Sequence, residues 1–124
     1  MKSQVGISKG KGNISVTITF GFASAGEYEL KVFDQNDANP DLRTGVSTDD
    51  VEDRFDLGRP EDLFGRAISI KAWASTPSSE PDWVGVIVEV EQGQKELAEL
   101  RLKASVKSHQ EAVFPFFIRF VEAK

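Results

Sequence analysis

Hydrophobic and polar residues alternate along most of the chain with a period of two. This is the pattern of strands that turn one face to a core and the other to water. Ile14, Val16, Ile18, Phe20 and Phe22 alternate with Ser15, Thr17, Thr19 and Gly21, and Tyr28, Leu30 and Val32 alternate with Glu27, Glu29 and Lys31. The same beat recurs in Ile68, Ile70, Ala72 and Ala74, in Val84, Val86, Val88 and Val90, and in Phe114, Phe116, Ile118 and Phe120. Leu100, Leu102, Ala104 and Val106 alternate with Arg101, Lys103, Ser105 and Lys107, a strand signal that outweighs the helix-like start at Glu96 to Glu99. Weaker strands are predicted near Val5 and from Arg54 to Leu57.

Turn chemistry separates these runs. Ala23 to Gly26 links the first two long strands, Gln92-Gly93 fits a hairpin, Thr76 to Pro81 is a loop with two prolines, and Lys107 to Glu111 makes the last connection. One helical turn is predicted at Pro60 to Phe64, with proline at its first position and acids behind it. Many short strands without intervening helices predict an all-β fold, an antiparallel β-sandwich (Ig-like or jelly-roll-like) of about seven to eight strands in a single domain, 1–124. The paired cysteines that mark true immunoglobulin domains are missing, so that likeness is one of architecture only.

Composition narrows the chemistry. The chain has no cysteine, which removes disulfides, thiolate metal sites and cysteine nucleophiles together. Twenty acidic residues against fifteen basic ones give a net charge of −5, which argues against a nucleic-acid partner. The excess is local: Asp34 to Asp62 carries a net −7. Within it, Asn36 to Arg59 reads as irregular, a length unusual in a small domain unless the segment is functional or partly strand-forming. No apolar stretch approaches the ~20 residues of a membrane-spanning helix. No signal-peptide core follows Met1, so a cytoplasmic location is the default expectation, with secretion left open for a trimmed chain.

Four constellations bear on function. Gly6-Ile7-Ser8-Lys9-Gly10-Lys11-Gly12 has the wrong spacing for a phosphate loop and no helix behind it, and reads as a flexible N-terminal arm. His109, the one histidine, lies in a predicted turn with no partner for a catalytic triad. Glu89 and Glu91 project from one strand face ~7 Å apart, a separation that can serve glycoside hydrolysis. Asp34, Asn36, Asp37 and Asp41 gather side-chain oxygens in one loop, as calcium requires. Asp34, Asn36, Asp37 and Pro40 resemble the cadherin linker pattern DxNDNxP, with Ala38 in place of one asparagine; the resemblance covers these few residues only and extends to no other motif of that family.

Strand alternation also leaves large apolar groups on the faces opposite the core. Trp73, Trp83, Ile87, Phe117 and Val121 are therefore candidates for an interface. Nothing in the sequence identifies a reaction. The leading expectation is a non-enzymatic binding module with a protein partner or a second copy of itself, and no cofactor. The alternatives are a calcium-dependent or carbohydrate-binding accessory domain, and a small carboxylate-based hydrolase.

Overall fold

The computed structural model describes residues 1–21, 25–33, 41–47, 52–76, 82–107 and 110–123. They form nine strands: β1 (Lys2–Ile7), β2 (Ile14–Gly21), β3 (Ala25–Phe33), β4 (Asp41–Ser47), β5 (Glu52–Gly58), β6 (Ala67–Ser75), β7 (Asp82–Gln92), β8 (Lys95–Val106) and β9 (Glu111–Glu122). The five-stranded sheet has the order β1-β9-β6-β3-β4 and the four-stranded sheet the order β5-β2-β7-β8. The two sheets pack face to face as an open sandwich, not a closed barrel. The single helical element among the described residues is the 3-10 turn Pro60–Asp62, started by Pro60 with Glu61 and Asp62 in its first turn. None of the described helices is long and apolar enough to cross a membrane.

The core is the inward half of each alternating run. Val16, Ile18 and Phe20 of β2 and Val84, Val86, Val88 and Val90 of β7 meet Leu30 of β3, Ile68 and Ile70 of β6, and Phe116, Ile118 and Phe120 of β9, all buried. Phe20, Phe116 and Phe120 are among the largest fully buried side chains. Each contributes roughly 1.5–3 kcal/mol from burial alone. Gly26 is required where β3 crosses β6, because a Cβ there would lie 1.8 Å from the carbonyl oxygen of Trp73 and 2.9 Å from the ring of Phe20.

Three features depart from the pattern along the chain. A ninth strand, β4, occupies part of the stretch read as irregular; Asp41–Ser47 lacks a run of alternating large apolar residues and is held by its ladder to β3. The pairing is antiparallel throughout except for β1, which runs parallel to β9, with Lys2 opposite Phe117 and Ile7 opposite Glu122.

The third departure is that the N-terminal segment is not a flexible arm. Beyond the β1 ladder, the amide nitrogen of Ala123 donates to the Ile7 carbonyl at 2.8 Å. The buried Gln92 side chain then accepts from the Ser8 amide at 3.0 Å and donates to the carbonyls of Ser8 and Gly12, the latter at 3.1 Å. The glycines that suggested flexibility serve a tight turn, Gly10 and Gly12 having φ values of 77° and 104°.

Candidate functional site

Each sheet has one face in the core and one facing outward, and the outward faces hold the functional candidates. On the four-stranded sheet the ladders align Glu52, Thr19, Ile87 and Arg101 in one row across β5, β2, β7 and β8. The next row places Gly21 beside Gly85 and Lys103, and the row beyond it pairs Trp83 with Ser105. Two glycines side by side remove the side chains from the middle of the face. The result is a hollow of about 220 Å³, predominantly apolar, lined by Gly21, Gly85, Ile87, Arg101 and Lys103 together with Val86 and Leu102.

Local packing does not account for Gly21. A Cβ there would meet nothing within 4 Å, and its φ lies outside the left-handed region that favours glycine. Glycine inside a strand costs roughly 0.5–1 kcal/mol relative to alanine and often marks the close approach of another group.

Trp83 lies one row beyond Gly85 on the same face and is 47% exposed. The ammonium of Lys103 lies 5.0 Å from its ring centroid, reached diagonally across the space that Gly85 leaves open. On β2 beside Ile87, the Thr19 Oγ1 is buried without a hydrogen-bond partner, the only such side-chain atom among the described residues. The hollow thus combines an apolar floor and two cations, with an exposed tryptophan one row away.

Farther along the same face lies a field of carboxylates. Glu89 and Glu91 both point outward from β7, as the alternation implies. Glu91 sits 4.0 Å from the Arg54 guanidinium. Glu89 shares a hydrogen bond with Glu96, and partial burial together with the charges of Glu96, Glu99 and Glu52 raises its pKa above the ordinary carboxylate value. Neither glutamate lines the hollow.

The interface candidates divide between the two outer faces. Trp83 and Ile87 lie on the four-stranded sheet, whereas Trp73, Phe117 and Val121 lie on the five-stranded one. Trp73 stands opposite the exposed Val113, and Phe117 is two rows away beside Ser69. No single patch unites the two tryptophans. Lys71 lies over Trp73 at 5.1 Å and Arg119 over Phe117 at 5.5 Å, contacts worth about 0.5–1 kcal/mol at exposed sites.

Asp34, Asn36 and Asp37 lie outside the described residues, as does His109, and of Asp41 only the backbone pairing with Val32 is described. Among the described residues no group of three or more metal-ligating side chains comes together. Sequence reasoning missed Gly21, Gly85, Arg101 and Lys103. Two glycines interrupting otherwise regular strands were the available signal, but their adjacency required the β2–β7 register. Compared with known proteins, the chain matches no family model, no curated protein and no solved structure.

Proposed function

We propose that the chain is a non-enzymatic binding module that takes a protein partner on the outer face of its four-stranded sheet. The observation that carries this reading is the hollow over Gly21 and Gly85, with Trp83 half exposed one row beyond it on the same face. At about 220 Å³ it is smaller than the ~300–1,000 Å³ typical of sites for whole small molecules. It suits one inserted apolar side chain. Arg101 and Lys103 beside it favour a partner segment that carries acidic residues next to that side chain. Trp and Arg are the residue types most often responsible for binding energy at protein interfaces.

Peptide and glycan arrays probed with wild type, Trp83→Ala, Lys103→Glu and Trp73→Ala test this reading. Wild type and Trp73→Ala are expected to retain acidic peptides bearing a large apolar residue, and the two hollow variants to lose them. Retention of glycans alone would move the assignment to carbohydrate binding. Peptide binding indifferent to Trp83 and Lys103 would remove the hollow as the site.

A further inference from the structure

The two sheets end in edges of unequal length. β1, β4 and β5 are six, seven and seven residues long, whereas β8 has twelve. Among the described residues β8 is paired on one side only, with β7. A long edge strand presents a row of backbone donors and acceptors to any other chain, unless proline, a bulge or short length blunts it. β8 contains no proline. Its irregularity is confined to its start, where the ladder steps from Glu91–Glu96 to Val90–Ala98. The core-side residues Ala98, Leu100, Leu102 and Ala104 pack against the core yet remain half-buried at the open rim of the sandwich.

We propose that β8 pairs antiparallel with β8 of a second copy across a two-fold axis at Leu100, joining two four-stranded sheets into one of eight strands. The inference goes beyond the hollow, because it uses the edge of the sheet rather than its face. The charges on β8 select this register. Residues directly opposed in an antiparallel pair share a face, and like charges placed there are destabilising. With the axis at Glu99 or at Arg101, that residue opposes its own copy. An axis at Leu102 sets Arg101 against the partner's Lys103, and an axis at Ala98 runs the irregular start of each strand along the regular part of the other and sets Glu99 against the partner's Leu97.

The axis at Leu100 alone among these places Glu99 opposite the partner's Arg101 and Arg101 opposite the partner's Glu99. The same axis pairs Ala98 to Leu102 of each copy, the stretch that lies clear of the irregular start of both strands. On the core side it brings Leu100 against the partner's Leu100 and Ala98 against the partner's Leu102, covering side chains that the monomer leaves half-buried. Arg101 and Glu99 already pair within one chain. The dimer extends this pair into an alternating row of four charges.

Light scattering at micromolar concentration on wild type, Glu99→Arg, Arg101→Glu, the double swap Glu99→Arg/Arg101→Glu and Phe117→Glu tests the proposal. Circular dichroism checks that each variant keeps its β fold. Wild type, the double swap and Phe117→Glu are expected to be dimers. Each single swap creates two like-charge oppositions and weakens association about tenfold or more. An equimolar mixture of the two single-swap proteins restores dimers, because each supplies the charges that the other lacks. A monomeric wild type would overturn the proposal while leaving peptide binding at the hollow intact. So would single swaps that dimerise as wild type does, a mixture that stays monomeric, or dissociation by Phe117→Glu, which would move the interface to the other sheet.

Discussion

The Tyr28 hydroxyl donates a hydrogen bond to the Asp53 carboxylate, and in doing so ties the five-stranded sheet to the four-stranded one. Tyr28 is buried on β3, and its ring meets that of Phe55 edge-on at 5.9 Å between centroids. Burial, the hydrogen bond to Asp53 and the negative charge of Asp53 all raise the pKa of this phenol above its ordinary value. Tyr28→Phe removes the donor but keeps the ring. It is expected to cost about 1.5 kcal/mol, since Asp53 is half-buried and regains some water. A phenol whose pKa is raised by folding stabilises fully below the unfolded value near 10, and that contribution fades as the pH climbs beyond it. Melting curves of wild type and Tyr28→Phe should therefore converge on the alkaline side, and a constant difference would contradict the assignment.

Gly26 and Gly21 lie on neighbouring strands in sequence, yet they should respond oppositely to the same substitution. Gly26→Ala drives a Cβ to within 1.8 Å of the Trp73 carbonyl oxygen and must break the β3–β6 ladder, with a loss of roughly 3 kcal/mol or more. Gly21→Ala meets open space and should leave stability unchanged or raise it by about 0.5–1 kcal/mol. Urea denaturation of both variants distinguishes these outcomes. Unfolding of Gly21→Ala would show that the glycine is structural and would weaken the case for the hollow.

Glu89 should make the domain less stable as the pH rises. Its neighbours on the outer face are Glu96 and Glu99 of β8 and Glu52 of β5, with Arg54 turned toward Glu91 instead. A carboxylate whose pKa is raised by folding contributes stability below its unfolded value, near 4.3, and loses that contribution as the pH rises through the folded value. Glu89→Gln is expected to flatten the decline in melting temperature from that point toward neutrality and to raise the melting temperature at pH 7. An unchanged slope would mean that the cluster is screened by solvent.

Val86→Asp should abolish folding. Val86 is 1% exposed between Val84 and Val88, and a carboxylate there has no partner in an aliphatic layer. The cost of an unpaired charge at such a site is at least ~3 kcal/mol, a large part of a small domain's stability. Loss of the β signal in circular dichroism is the expected result, whereas near-native melting would invert the assignment of the faces of β7.

In the six long alternating runs, alternation alone determined which side faces the core. It correctly turned Val84, Val86, Val88 and Val90 inward and Glu89, Glu91, Ile87 and Trp83 outward, because successive side chains on a strand must point to opposite faces. Turn chemistry located the β7–β8 hairpin to within one residue: the turn is Gly93-Gln94, where a positive φ of 62° calls for glycine, and Gln92 is the last residue of β7. Local patterns could not assign strands to sheets, since every pairing except β3–β4 and β7–β8 joins strands that are not consecutive in the chain, and register is a property of the pair. Tertiary structure therefore decided that Trp73 and Phe117 share one outer face while Trp83 occupies the other, and that β1 joins β9 in parallel. It also added β4, whose backbone ladder needs no apolar run of its own. The adjacency of Gly21 and Gly85 has the same origin, for it exists only because β2 and β7, separated by four other strands along the chain, lie side by side in one sheet.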